Sequence, residues 1–215
     1  MTYAELVELI QEYCETRETS FVANIPRFVK QTEQRVYRTV MIPELRKAAT
    51  TQVGPGVQYV ARPLDFLTVF SFAVIDSDGA YHFLYDKDPS FIREAYPFPA
   101  VTGLPRFYAQ FDGQANASAG NFLIGPTTDA TYTVELQYYH DPESIVTAGT
   151  TWLSENAETV LLYGCLVEAY TYLKGDNDLM AQYRQQYDLA LGQLLGIDVR
   201  SKRDDYRDGQ MRVGG

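Results

Sequence analysis

The 215-residue chain has little of the chemistry on which most enzymes and metal proteins depend, with only two cysteines and two histidines. Cys14 and Cys165 lie far apart in segments with helical patterning, and neither belongs to a CxxC pair. This spacing predicts neither a zinc site nor a disulfide framework, and two buried, reduced thiols are the simpler interpretation. We expect no metal and no cofactor.

The two histidines also lack the partners that catalysis or metal binding requires. His140 stands before Asp141–Pro142, where an alternating segment ends and a turn is expected. His82 lies between Tyr81 and Phe83, where a packed strand residue is the simpler interpretation. The sequence contains no HxH, HExxH or GxSxG motif. We therefore predict that the protein is not an enzyme.

Long apolar runs and excess positive charge are missing as well. No segment approaches the ~20 apolar residues that a membrane helix needs. The N-terminal stretch "MTYAELVELIQEYC" has no basic flank, so it is not a signal peptide, and we expect synthesis in the cytoplasm. The net charge of −10 repels nucleic-acid phosphate, so sequence-specific DNA binding is not expected.

The first 48 residues predict two helices. Thr2 and Glu5 have the spacing of a capping box. The second helix is expected to begin near Asn24–Pro26 and to end before Pro43.

Between residues 49 and 142 the apolar period changes to the alternation typical of strands. Short strands are predicted in "TTQVGPGVQYV", "RPLDFLTVFSFAVIDSDGAYHFLYD", "LPRFYAQFDG", "NFLIGP" and "TYTVELQYY". In the last of these, Tyr132, Val134, Leu136 and Tyr138 share one face. Five or six such strands indicate an antiparallel sandwich or a small barrel.

Helical patterning returns after Pro142. Ser154 is the predicted cap of a helix whose residues 157–173 are apolar on nearly every side. Lys174–Gly175 should end that helix, and Asp176 should cap the next. The apolar stripe of this last helix is predicted to be Leu179, Tyr183, Tyr187, Leu191 and Leu194.

The predicted fold class is α+β, with a helical bundle made from both chain ends. Its parts are N-terminal helices at residues 1–48, an inserted antiparallel β domain at 49–142 and C-terminal helices at 143–197. Residues 198–215 are charged and poor in apolar side chains, so we expect an extended, flexible C-terminal arm.

The order of several segments resembles the head-to-tail connector adaptor proteins of tailed bacteriophages. The resemblance lies in "FVKQTEQRVYRTV", "RPLDFLTVFSFAV", "GLPRFYAQFDG", "FLIGPTTDATYTVELQYYHDP" and the helical stretch from "TWLSENAETV" to "LALGQL". It covers residues 1–196, and the family's "LPxDFL" pattern is altered here to Arg62–Leu67, with arginine in place of the first leucine.

This resemblance implies a structural virion protein at the head-tail junction. Such adaptors form an oligomeric ring, usually dodecameric, that joins the portal to the tail or nozzle proteins. The ring extends the channel, and DNA passes through it without sequence-specific binding.

The C-terminal arm is the predicted portal-binding segment. From Arg200 to Gly215 it carries five basic and three acidic residues, a net charge of +2, which leaves −12 for the rest of the chain. Arginines can pair with carboxylates of a partner, while Tyr206 and Met211 can enter apolar pockets. The predicted contact residues are Arg200, Lys202, Arg203, Tyr206, Arg207, Met211 and Arg212.

Two other functions remain open on sequence alone. The β insert suits a receptor-binding or glycan-binding tail module. A cell-wall hydrolase is the second alternative, because 28 acidic residues offer many possible carboxylate pairs and the separation that matters is spatial.

Overall fold

The computed structural model describes residues 1–41, 43–111 and 120–203, with the side chains of 197–203 left out. The chain divides into two compact units. The helical unit combines Met1–Glu44 with Pro142–Gly215, and the β unit is Leu45–Asp141. Helices and mainly antiparallel sheets together confirm the α+β class.

Six helices of the helical unit are described. They are α1 (Tyr3–Tyr13), α2 (Thr19–Thr39), α4 (Ile145–Ala148), α5 (Trp152–Asn156), α6 (Glu158–Leu173) and α7 (Asn177–Arg203). A further helix, α3 (Pro89–Ala95), belongs to the β unit.

The capping box predicted for α1 is confirmed, but the predicted start of α2 is wrong. The Thr2 hydroxyl accepts a hydrogen bond from the Glu5 amide, and the Glu5 carboxylate accepts one from the Thr2 amide. Helix α2 begins at Thr19 and continues through Pro26. A proline inside a helix removes one hydrogen bond, yet Phe21 and Ile25 are fully buried on this segment. Their burial stabilises the early turns more than one missing bond weakens them.

Helix α6 contacts α1, α2 and α7. Its position depends on Gly164, because a Cβ there would overlap with the Cγ2 atom of Thr32 on α2 and lie 3.1 Å from the Tyr187 ring on α7. Burial along α6 is uneven, since Leu161 is fully buried while Leu162 is half-buried. The absence of a side chain at Gly164 allows α6 to pack closely against both α2 and α7.

Three helix ends were predicted in the C-terminal part of the chain, and two of them are confirmed. Lys174 adopts a left-handed conformation at φ 53° after α6, and the Asp176 carboxylate accepts the Asp178 amide at 2.7 Å. The predicted Ser154 cap is wrong. Thr151 caps the short helix α5, with Ser154 at its third position, and α6 begins separately at Glu158.

The predicted stripe of α7 is only partly buried. Tyr187 and Leu194 are buried, whereas Leu179 is 40% exposed. The helix also continues to Arg203, past the predicted start of the arm at residue 198. Continuous backbone hydrogen bonding extends the helix beyond the last apolar positions that define the stripe. Residues 204–215 lie outside the described part of the chain.

We predict that Gly164→Ala destabilises the protein by about 1–3 kcal/mol, because overpacking a filled contact forces its neighbours apart. Urea unfolding of the purified variant measures this. Gly192→Ala is the matched control, since a Cβ at this exposed site on α7 meets no atom within 4 Å. Helix propensity alone should make that control neutral or slightly more stable. Equal unfolding midpoints for the two variants would show that the Gly164 contact is not tight.

The β unit contains two four-stranded sheets. The strands are β1 (Arg46–Val53), β2 (Tyr59–Ala61), β3 (Phe66–Ile75), β4 (Tyr81–Phe83), β5 (Tyr85–Asp86), β6 (Phe107–Phe111), β7 (Asn121–Gly125) and β8 (Tyr132–His140). The first sheet has the order β1-β8-β3-β4 and the second β2-β7-β6-β5. All neighbours are antiparallel except β5 and β6, which pair in parallel.

The two sheets share one apolar core, which makes the unit a sandwich. The predicted inward face of β8 is confirmed by the burial of Tyr132, Val134, Leu136 and Tyr138. Phe72 of the first sheet packs against Phe122 of the second with ring centroids 5.0 Å apart. Strands β1 and β2, although consecutive, belong to different sheets.

A short helix that the sequence analysis did not predict covers the second sheet. Helix α3 begins at Pro89, and the Asp88 carboxylate accepts the Ser90 amide at 2.8 Å. Its Ile92 packs with Leu123 and Ala109 on the face of the sheet opposite the main core. The second sheet is thus covered on both faces.

Asp65, in the altered "RPLDFL" segment just before β3, joins β1 and β8. Its carboxylate accepts Lys47 Nζ of β1 at 2.7 Å and the Tyr138 hydroxyl of β8 at 2.8 Å. Its carbonyl accepts the Asp141 amide at 2.8 Å. Partial burial alone would raise the pKa of Asp65, but the hydrogen bonds from Lys47 and Tyr138 bring that pKa below its usual value. The charged form is therefore the one that the fold favours.

We predict that Asp65→Asn lowers the stability of the protein near pH 7 and that the difference from wild type shrinks in acid. A depressed folded pKa stabilises the folded state above the unfolded value of about 4, and this contribution is lost as pH falls through the folded pKa. Thermal unfolding between pH 7 and pH 3 measures the effect. Glu94→Gln, at an exposed position of the same unit, is the control. A constant difference across this range would exclude the proposed role of the Asp65 charge.

Candidate functional site

His140 has a structural role at the end of β8. Its Nδ1 donates a hydrogen bond to the carbonyl oxygen of Leu45 at 2.8 Å. The residue also pairs in register with Phe66 of β3. The imidazole thus ties the end of β8 to the start of the β unit. The strand ends at His140 as expected, but no turn forms at residues 141–144.

His82 lies in β4, next to the turn that joins β3 and β4. Its Nε2 lies 2.8 Å from an Asp76 carboxylate oxygen, and the other oxygen of Asp76 accepts the amides of Asp78 and Ala80 at 2.9 Å each. The His82 hydrogen bond, followed by these amides, lowers the pKa of Asp76. Such a carboxylate closes the turn. The Asp76–His82 pair is half-exposed and part of ordinary turn chemistry.

The cysteine thiols are poorly suited to nucleophilic chemistry. Burial raises the pKa of the Cys14 thiol to about 11 and that of the Cys165 thiol to about 12. The thiolate is the reactive form, so both thiols are unreactive at neutral pH. Within residues 1–41, 43–111 and 120–203, no group of three or more His, Cys, Asp or Glu side chains is placed to hold a metal ion.

The predicted portal-binding residues divide between the last helix and the region beyond it. Arg200, Lys202 and Arg203 lie in the final residues of α7, where only the backbone is described. The other four lie outside the described residues, and they are Tyr206, Arg207, Met211 and Arg212. Their role stays a prediction.

One side of the sandwich carries a slot between its two edge strands. The slot is an apolar cavity of about 70 Å³ that opens between β1 and β2. Its rim includes the exposed Thr51 and Ala61, and its floor includes the buried Phe72 and Phe122. Leu64, next to the rim residue Pro63, is 84% exposed.

The opposite side of the sandwich carries exposed aromatic side chains. Tyr81, Phe83 and Tyr85, here called the aromatic edge, are 53%, 56% and 68% exposed. Tyr81 and Phe83 stack on each other with ring centroids 6.4 Å apart. From the sequence, this segment is expected only to form a packed strand around His82. The alternation of aromatic residues was visible there, but the position of β4 and β5 at the sheet edges was not.

Comparison with known proteins identifies the class to which this fold belongs. The sequence is that of a structural adaptor of the bacteriophage virion, with a role in tail assembly. It belongs to the SU10 adaptor protein family, whose sequence model matches residues 1–214. This confirms the resemblance to tailed-phage connector adaptors. No protein with curated annotation matches the chain.

No helix in the described residues combines the length and the apolar composition that crossing a membrane requires.

We predict that the double variant His82→Ala, His140→Ala still supports phage assembly. Each imidazole makes a local hydrogen bond, so the expected cost is about 1 kcal/mol of stability per bond. Thermal unfolding measures that cost, and complementation of a phage lacking the gene measures function at a temperature where the variant is folded. A folded variant that assembles particles but fails in one later step would instead reveal a chemical role for a histidine.

Proposed function

We propose that this adaptor forms a ring that joins the portal to the tail proteins and extends the DNA channel. Membership of the SU10 adaptor protein family along residues 1–214 is the observation that carries the proposal. A dodecameric ring is the expected form. The helical ends and the inserted β domain, predicted at residues 49–142, provide separate surfaces for the portal and the tail proteins.

The charge of the chain suits a channel wall. Residues 1–199 carry a net charge of −12, against +2 from Arg200 onwards. DNA phosphates bind proteins chiefly through lysine and arginine, with release of counterions. A predominantly acidic wall offers the phosphates few such partners, so DNA can slide past it.

The C-terminal segment is the proposed contact with the portal. Helix α7 runs to Arg203, so its last turn carries Arg200, Lys202 and Arg203 at the start of the basic segment. Arginines at such a position can form paired hydrogen bonds with carboxylates of the portal. Tyr206 and Met211 then add apolar anchors.

We predict that a chain truncated after Val199 folds but no longer binds portal rings. Residues up to Val199 include every buried residue of the helical unit that the structure describes, so the thermal unfolding midpoint should change little. Co-sedimentation with portal rings of the same phage measures binding. Equal binding by the truncated and the intact chain would move the contact to the helices themselves.

Charge substitutions within the full chain separate the effect of charge from that of length. Arg207→Gln with Arg212→Gln should weaken co-sedimentation, most clearly at low salt, where charge pairs are least screened. Asp204→Asn with Asp205→Asn is the matched control, because it alters as many charges in the same segment. This control should bind at least as well as the unaltered chain.

A further inference from the structure

We propose that neighbouring copies of this chain associate through the two opposite sides of the β unit, with the aromatic edge of one copy seated on the slot of the next. The partner is a second copy of the chain. This inference rests on the proposed ring and adds the surfaces that would build it.

The sheet order places the two surfaces on opposite sides of one sandwich. In the first sheet, β1 and β4 are the two outer strands, and in the second sheet β2 and β5 are the outer strands. The slot lies between β1 and β2. The aromatic edge lies on β4 and β5, which are joined through Leu84, a core residue. A copy therefore presents one surface on each side.

The two surfaces complement each other in shape and polarity. The three side chains of the aromatic edge are each exposed over more than half of their surface, and they lie on adjacent edge strands. Exposed aromatic clusters of this kind are characteristic of protein interfaces. A cavity of about 150 Å³ holds a benzene molecule. The slot, at about 70 Å³, therefore accepts the tip of one ring rather than a whole side chain. The exposed Leu64 beside the slot can cover the remainder of that ring.

The two surfaces also carry opposite charge. The slot side has two cations and one carboxylate, a net charge of +1, from Lys47, Arg62 and Asp65. The aromatic side has four carboxylates and one cation, a net charge of −3, from Asp76, Asp78, Asp86, Lys87 and Asp88. Complementary potentials favour the contact between unlike sides and disfavour contacts between like sides.

Contacts between unlike sides have a definite consequence for assembly. When a surface binds a different surface on an identical copy, the association is head-to-tail, and it closes into a ring if the rotation per copy permits. Contacts between like sides would instead stop at a dimer. The opposite charges and the slot thus favour the geometry that a ring requires.

Cysteine cross-linking on portal rings tests the contact. The background is Cys14→Ser, because Cys165 is fully buried and does not need replacement. Thr51→Cys places a thiol on the slot rim, and Asp86→Cys places one beside Tyr85. In the chain that carries both, a flexible bis-maleimide should produce a ladder of covalent multimers on a denaturing gel.

The single-cysteine chains serve as controls. Each alone should give no cross-linked product, and a mixture of the two should give dimers only. Dimers from one single-cysteine chain would show a like-with-like contact and overturn the proposal. Intact rings with no ladder from the double variant would overturn it while leaving the ring itself in place. Absence of any ring would overturn both this inference and the proposed function.

Substitution of the aromatic side chains gives an independent readout. Phe83→Ser with Tyr85→Ser should leave the unfolding temperature nearly unchanged, because both residues are exposed, yet reduce ring assembly at least tenfold. Phe98→Ser is the matched control, since Phe98 is 69% exposed but lies outside the β4 and β5 edge. Equal assembly by the double variant and this control would contradict the proposed contact.

Discussion

The β unit depends on the pairing of strand β8 with two partners. Along Tyr132–His140 it pairs with β1 on one side and with β3 on the other. Its alternate residues from Tyr132 to Tyr138 enter the core between the sheets. A one-residue slip would turn this whole set of side chains to the opposite face. The register of β8 therefore sets the position of β1 and β3, and through β3 that of β4.

Because β8 is central, the outer strands of the first sheet are β1 and β4. Edge strands expose backbone groups that invite pairing with other chains, and proteins commonly shorten or charge them. Here β4 and β5 are only three and two residues long. Three of the side chains that they expose, Tyr81, Phe83 and Tyr85, are aromatic, which is unusual for an edge protected from association. In an adaptor, whose function is to be contacted by other proteins, such an edge is a suitable surface.

The polar side chains of the types used in catalysis form hydrogen bonds and ion pairs that stabilise this fold. His140 donates to the Leu45 carbonyl, Asp76 closes a turn with His82, and Asp65 joins Lys47 to Tyr138. Each of these contacts stabilises a strand end or a turn. These side chains thus serve the fold, and the chain belongs to a family of structural adaptors.

The sequence by itself determined the features that depend on near neighbours. The Thr2–Glu5 capping box, the left-handed stop at Lys174 and the alternation of β8 all arise from residues within a few positions of each other. Only the tertiary structure decided the start of α2, where burial of Phe21 outweighs the effect of Pro26, and the assignment of β1 and β2 to different sheets. The same holds for the slot and the aromatic edge. Whether a strand lies at the edge of a sheet depends on pairing with residues far away in the chain, and no local pattern specifies that pairing.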